Sequence, residues 1–285
     1  MKTIKSFLLV CVMCVFSTLV VYADPAGDML VQAARDQDET ALRQALWSRA
    51  NVNYTFNDQT ALMVACEKQW NIGVRILVEE YKANVSYKNM DGQTALMFAV
   101  KTNRNTSIAK FLIERGANVN DRDNQNKTVL MYAAEQNQAP EMIDFILQAG
   151  ASIGAVNSYQ QDALIIAVKN SNWIAVDKLL RVAGINLSQA DVDRKTAFIY
   201  ACENEDINMM AAFVQRGFDV LKQDASGMPP LLWLIANNKS FTPIEYLVKN
   251  TTALNSKDRL GNDVSWYVNR SSDTRLRRLI ESVRY

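Results

Sequence analysis

The chain has 285 residues, of which 49% are hydrophobic and 21% charged, with 31 basic against 30 acidic side chains. This composition is typical of a folded globular protein and excludes a disordered, collagen-like or multi-span membrane chain. A formal net charge of +1 offers no basic excess for a nucleic-acid surface. Because the chain has no histidine, Ser-His-Asp triads, Cys-His dyads and histidine metal sites are excluded.

Residues 1–23 have the features of a secretory signal. Two lysines precede an uncharged, mostly apolar stretch, residues 7–21, which is short for a membrane-spanning helix. Val21 and Ala23 provide small side chains three residues and one residue before a cleavage site, as a signal peptidase requires, which predicts cleavage before Asp24. We expect export across the inner membrane to the periplasm, with an extracellular fate and an uncleaved membrane anchor as the alternatives.

The rest of the chain is self-similar with a period of 34 residues. An apolar hexad that ends in a small residue begins at Thr60, Thr94, Thr128, Asp162 and Thr196. Degenerate copies begin at Pro229 and Asp263. A fixed period in this range predicts a solenoid of helical repeats, and the threonine or aspartate that opens each of the five full hexads is expected to cap the helix that follows.

Each hexad is followed by a second apolar helix that ends at a glycine turn, and then by about ten polar residues. Simple helical hairpins need only a short turn there, whereas a long connector rich in Asn, Asp and Gly indicates a projecting β-turn finger. The order Asp/Asn-x-x-Gly-x-Thr-Ala-Leu, then Gly-Ala-Asn-Val-Asn, resembles the ankyrin repeat over about residues 27–283. The resemblance implies an all-α solenoid of helix-turn-helix units with β-turn fingers, about seven to eight units including caps.

On this basis we expect a signal peptide over 1–23 and a single ankyrin-repeat domain over 24–285. The predicted parts of that domain are an N-terminal cap (24–59), five full repeats (60–228), a degenerate repeat (229–262) and a C-terminal cap (263–285). Ankyrin repeats commonly carry Thr-Pro-Leu-His, and the hexads of the five full repeats lack both the proline and the histidine. The resemblance therefore implies loops with fewer cross-links and an array of lower stability.

Little catalytic or metal chemistry is available. Cys66 and Cys202 occupy the same slot of repeats four units apart, which places them roughly 40 Å from each other. This is far beyond the reach of a disulfide, so both are expected to be free, buried and inert, with a reactive thiol as the alternative. Asp191, Asp224 and Asp258 recur at one turn position, which favours bonds to the turn backbone over a calcium site. We expect no enzyme activity, no metal and no cofactor.

The fifth residue of each hexad forms what we call the ladder: Val64, Phe98, Tyr132, Ile166, Tyr200, Trp233 and Tyr267. It stands two residues after the core leucine, a rotation of about 200° on a helix, and should therefore face the concave side of the solenoid. Two interpretations are open. Neighbouring rings stack and close the seam between repeats, or they form an amphipathic strip that binds a partner.

The polar neighbours of the ladder complete the predicted protein-binding surface. Finger residues with this role are Met90, Gln93, Gln125, Lys127, Tyr159, Gln161, Val192 and Lys195. Helix residues with this role are Lys101, Gln136, Lys169 and Asn204. In the family that the chain resembles, these positions commonly contact partners.

The leading hypothesis is a non-catalytic, exported, monomeric protein that binds another protein through its concave face and finger tips. A more specific version is an inhibitor or immunity-type protein that blocks an exported hydrolase or toxin, and a general envelope scaffold is the other version. Weak association with a membrane surface through Arg275, Arg277 and Arg278 is a third hypothesis. An enzyme working with carboxylate, tyrosine or lysine alone is the fourth, and nucleic acid is not expected.

Overall fold

The computed structural model of the chain describes residues 24–102, 106–136 and 140–283. The predicted signal peptide, residues 1–23, lies outside the described residues. Over the residues described, none of the helices combines the length and the apolar character needed to span a membrane.

The described ranges form sixteen α-helices, arranged as pairs. The first pair is α1 (Pro25–Asp36) and α2 (Glu39–Trp47), followed by a hairpin of β1 (Thr55–Phe56) and β2 (Gln59–Thr60). The next pairs are α3 (Ala61–Glu67) with α4 (Asn71–Arg75), which continues as a π-helical turn (Ile76–Glu80), α5 (Ala95–Thr102) with α6 (Ser107–Glu114), and α7 (Val129–Glu135) with α8 (Pro140–Gln148). The later pairs are α9 (Ala163–Lys169) with α10 (Trp173–Leu180), α11 (Ala197–Glu203) with α12 (Ile207–Gln215), α13 (Pro230–Ala236) with α14 (Phe241–Asn250), and α15 (Val264–Val268) with α16 (Thr274–Val283).

The pairs stack into two helix layers. Each first helix packs on the first helices of the repeats beside it, and the second helices form a parallel outer layer. The first helices are therefore enclosed on three sides, which explains why their hexads are almost entirely apolar. Their core side chains, such as Leu62, Leu96 and Phe198, join one continuous buried cluster. The expected solenoid of helix-turn-helix units is confirmed.

Hexad-opening residues cap the first helices, except at Thr94 and at Pro229, which has no side-chain oxygen for a cap. The Thr60 hydroxyl accepts from the Met63 N–H at 3.2 Å, and Thr128 and Thr196 do the same in their own repeats. Asp162 caps α9 in the same way. The prediction for Thr94 is wrong, because its buried hydroxyl has no hydrogen-bond partner among the described residues.

The polar connectors form antiparallel fingers that are joined to one another. In each finger an Asp or Asn accepts from turn N–H groups, as Asp191 Oδ1 does from Asp193 and Lys195, both at 3.0 Å. This confirms the expected turn bonding. Successive tips are linked by backbone hydrogen bonds, for example from the Val192 N–H to the Tyr159 carbonyl at 3.1 Å. The fingers therefore form one hydrogen-bonded ribbon along an edge of the solenoid.

Both cysteines of the described residues, Cys66 and Cys202, are free and buried, as expected. Burial raises the pKa of both thiols well above their usual value. A high thiol pKa keeps the reactive thiolate scarce, which agrees with an inert structural role.

Candidate functional site

The rings of the ladder are largely covered. Phe98 and Tyr132 are buried, with only 4% of Tyr132 exposed, and Tyr200, Trp233 and Tyr267 are half-buried. Ring-to-ring contacts between neighbouring ladder members, the packing expected of a closed seam, are not found among the described residues. Side chains from the fingers and from neighbouring repeats occupy the space around the rings instead.

Each ladder tyrosine ties its helix to its own finger. The Tyr132 hydroxyl donates to Asp123 Oδ2 at 2.6 Å, and the Tyr200 hydroxyl donates to Asp191 Oδ2 at 2.5 Å. Tyr267 makes the equivalent bond at 2.9 Å, and burial together with that carboxylate raises its pKa to about 12. Burial and the bonded carboxylate also raise the pKa of Tyr132 and Tyr200. These hydroxyls therefore stay protonated and act as hydrogen-bond donors that hold the fingers.

Lysine ammonium groups lie over the tyrosine rings. The Tyr132 ring has Lys101 Nζ at 5.3 Å and Lys127 Nζ at 4.3 Å from its centre. The Tyr200 ring has Lys169 Nζ at 4.9 Å and Lys195 Nζ at 5.5 Å. These distances are typical of cation–π contacts. A partner entering the groove would therefore meet lysine before it met an aromatic face.

The two tyrosine sites are copies of one arrangement. Asp123, Lys127, Tyr132 and Glu135 recur as Asp191, Lys195, Tyr200 and Glu203, so the pattern Asp-x₃-Lys-x₄-Tyr-x₂-Glu repeats after two units. In both copies the finger lysine forms an ion pair with the helix glutamate. The concave face thus has a period of two repeats, twice that of the fold. A comparison of every second repeat is the sequence signal that could have found it.

The finger tips are the exposed part of the predicted surface. Four apolar side chains at two adjacent tip positions, three or four residues before the next hexad, are between 53% and 86% exposed. They are Met90, Tyr159, Val192 and Leu260. Sequence reasoning missed Leu260, which lies in the degenerate C-terminal repeat but at the same finger position as Tyr159. Gln125 is also an exposed tip residue.

Several predicted polar residues are already bonded within the protein. Gln93 donates to the Tyr132 hydroxyl at 2.8 Å, and Gln161 accepts from a finger amide. Asn204 donates to the Val168 carbonyl of the preceding repeat at 2.8 Å. These amides stabilise the array, and their remaining hydrogen-bonding capacity is correspondingly smaller.

Lys101 and Gln136 are brought together at a polar depression of about 520 Å³ near the ends of the first helices. Glu67, Lys68 and Gln69 also line it. In the described ranges, no group of three or more cysteines and carboxylates is placed to hold a metal ion. The depression therefore offers ammonium, amide and carboxylate groups for hydrogen bonding.

A family model described as ankyrin repeats, three copies, matches residues 30–123, 82–157 and 164–258 of the chain. These matches cover most of the described solenoid, including every ladder position from Val64 to Trp233. No curated protein matches the chain significantly. Repeats of this family are protein–protein interaction modules, and the family is typically a non-catalytic scaffold.

Proposed function

We propose that this chain, which belongs to the ankyrin-repeat family, binds another protein with its concave groove and finger tips. The observation that carries the proposal is the row of exposed apolar tips, Met90, Tyr159, Val192 and Leu260. Large apolar side chains on a surface gain free energy when a partner removes them from water. Four of them on finger tips along one edge favour a partner that lies along the solenoid.

The rigidity of this edge supports the proposal. Hydrogen bonds join consecutive tips, such as that from the Asn124 N–H to the Asp91 carbonyl at 2.9 Å and that from the Ser158 N–H to the Gln125 carbonyl at 2.8 Å. The ladder tyrosines hold the base of three fingers by their hydroxyl bonds. A surface that is ordered before binding loses less conformational entropy when the partner docks.

The proposal includes export directed by residues 1–23, to the periplasm in the first instance. The start of α1 supports cleavage before Asp24, because the Asp24 carboxylate accepts from the Gly27 N–H at 3.1 Å and caps that helix. Cleavage at this bond would release a chain whose first residue, Asp24, is the N-cap of α1. In that compartment the partner is an exported hydrolase or toxin that the protein inhibits, or a component of the envelope that it organises.

The test is capture of the partner in the native cell. The full chain is expressed, the envelope fraction is lightly cross-linked, and stoichiometric partners are identified by mass spectrometry. We expect the double variant Met90→Asp, Val192→Asp to lose the partner while remaining folded, since both side chains are exposed. Trp47→Asp is the matched control, because Trp47 is an equally apolar, 74% exposed residue at the end of α2, outside the finger row.

The identity of the captured partner distinguishes inhibition from a scaffold role. A hydrolase or toxin that is captured, and whose activity the protein blocks, supports inhibition, whereas an envelope component supports a scaffold. If the tip variant and the control retain the same proteins as the wild type, the proposed surface is wrong.

Binding to anionic liposomes tests membrane association as an alternative. Arg277 and Arg278 are the residues to change, because both are exposed, whereas Arg275 forms an ion pair with Asp273 at 2.6 Å. Binding to liposomes that is lost on changing Arg277 and Arg278 would favour membrane association instead.

A further inference from the structure

A row of charged residues runs along the groove, one per repeat, and its sign alternates. The residue seven positions after each hexad start is Glu67, Lys101, Glu135, Lys169 and Glu203 in the five full repeats. The row lies at the ends of the first helices, beside the ladder. We call it the charge row.

The carboxylates of the charge row are engaged within the protein. Glu67 accepts from the Gln59 amide at 3.1 Å. Glu135 forms an ion pair with Lys127, and Glu203 forms one with Lys195 at 2.6 Å. Each of these partners comes from the base of the finger in the same repeat. The lysines neutralise Glu135 and Glu203, whereas Glu67 is bonded to a neutral amide.

The two lysines of the charge row are not compensated. Lys101 Nζ contacts the rings of Phe98 and Tyr132 at 5.4 and 5.3 Å, and Lys169 Nζ contacts the Tyr200 ring at 4.9 Å. Within the described ranges neither ammonium has an ion pair or a hydrogen bond. An ammonium carries three N–H donors, and a ring face satisfies them only weakly. Both lysines therefore present unused donors and positive charge to the groove.

We propose that the groove binds a protein segment that places one carboxylate on Lys101 and another on Lys169. This inference rests on the proposed protein-binding function and specifies the chemistry of the partner. The two lysines are two repeats apart, roughly 20 Å at the usual spacing of packed helices. An extended chain rises about 3.3 Å per residue, so acidic side chains about six positions apart would reach both ammonium groups.

The alternation of the row favours separated carboxylates over a continuous polyanion. A lipid surface or a polyphosphate would also bring negative charge against Glu67, which is bonded to a neutral amide and would repel it, and against the ion pairs of Glu135 and Glu203, which add no attraction. Phosphate recognition typically uses the forked donors of arginine, whereas each station here offers a single ammonium. A polypeptide can place an acidic residue against each lysine of the charge row and a neutral residue against each glutamate.

The experiment measures binding at each lysine separately. The purified full chain carries ¹³C-labelled lysine, and the side-chain signals of Lys101 and Lys169 are assigned from the variants Lys101→Gln and Lys169→Gln. The probe is a synthetic Gly-Ser peptide with two glutamates six positions apart. Comparison peptides have the glutamates two positions apart or replaced by glutamine. Lys110→Gln is the matched control, because Lys110 is an exposed lysine of the outer helix α6.

We expect the six-position peptide to shift both lysine signals with one shared dissociation constant, since one molecule occupies both stations. Either single variant should weaken it about tenfold by removing the bivalent attachment, and Lys110→Gln should leave it unchanged. The peptide with closer glutamates should bind several-fold more weakly. Equal binding of all peptides, no binding, or equal loss in Lys110→Gln would overturn the proposal. So would tighter binding of polyphosphate or phosphatidylglycerol vesicles at the same lysines.

Failure here is distinguishable from failure of the proposed function. If the double variant Lys101→Gln, Lys169→Gln keeps the cellular partner that the finger-tip variant loses, then the protein is a binding module whose partner does not use these lysines. In that case the proposed function stands and this inference is wrong.

Discussion

The carboxylate of Asp162 is expected to make the stability of the protein depend on pH. Asp162 caps α9 by accepting from the Ile165 N–H at 2.8 Å, at a position where three other repeats have a neutral threonine cap. Its side chain is almost fully enclosed, with 4% exposed. Burial raises its pKa from an ordinary value of 3.8 to about 6, although N–H donors to the carboxylate oppose the shift.

The sign and size of the effect follow from this difference in pKa. Between pH 3.8 and about pH 6 the unfolded chain loses the Asp162 proton while the folded chain keeps it. Unfolding then releases a proton, so the free energy of unfolding falls as the pH rises through this window. At neutral pH the ionised, buried carboxylate costs about 3 kcal/mol relative to its protonated form.

The perturbation is Asp162→Asn, which keeps an oxygen for the helix cap and cannot ionise. We expect the free energy of unfolding of the variant, minus that of the wild type, to increase by about 2 kcal/mol between pH 4 and pH 7. Urea titrations followed by circular dichroism measure this difference. Contributions from other carboxylates, such as Glu205 with its lowered pKa, cancel in the subtraction.

The matched control is Asp263→Asn. Asp263 caps α15 by accepting from the Trp266 N–H at 3.0 Å, but its side chain is partly exposed, so water can stabilise its charge. The argument from burial therefore predicts a smaller change with pH for Asp263→Asn than for Asp162→Asn. A pH-independent difference for Asp162→Asn, or an equal slope for both variants, would refute the argument from burial.

Three further predictions concern the ladder, a finger and the amino terminus. In urea titrations, Tyr132→Phe should lower the free energy of unfolding by about 1–3 kcal/mol, because the Asp123 carboxylate and the Gln93 amide both lose the hydroxyl that they bond. The control is Tyr246→Phe, whose hydroxyl has no hydrogen bond among the described residues. It should change the free energy of unfolding by less than about 0.5 kcal/mol. In thermal unfolding, Gly92→Ala should lower the free energy of unfolding by at least about 1 kcal/mol more than Gly116→Ala. Both glycines have positive φ, but only an alanine at position 92 would place its Cβ 2.8 Å from a backbone nitrogen, that of Asn124. Mass spectrometry of the protein from its native cell should find an amino terminus at Asp24, and a chain that retains residues 1–23 would contradict cleavage.

Much of the fold could be predicted because its determinants are local. The hexads of the five full repeats recur every 34 residues, and each carries its own apolar face and following turn. The last helix, Thr274–Val283, lies within the predicted C-terminal cap. The free state of Cys66 and Cys202 also follows from sequence, because a whole number of repeats separates them. Such features need only the chain geometry of one repeat and the rule that repeats stack.

The state of the ladder could not be obtained in this way. A helical rotation predicts a concave-side position for Tyr132, but its cover comes from Lys101 in the preceding repeat and from the finger that carries Lys127. Because Tyr132 is buried, its substitution by alanine would change the packing of the repeats. Substitution of the exposed tip residues changes only the surface that a partner can contact. The failure of Thr94 as a cap is similar, because the orientation of a buried hydroxyl depends on the side chains packed around it.

The sequence by itself therefore determined the period, the helices, the fingers and the face on which each residue lies, because these depend on hydrogen bonds and apolar spacing within about one repeat. Only the tertiary structure decided which of those residues a partner can reach. That depends on contacts between side chains far apart in sequence, as between Gln93 and the Tyr132 hydroxyl, 39 positions apart. The same contacts pair Lys127 and Lys195 with glutamates, and leave Lys101 and Lys169 over the rings with their charge uncompensated.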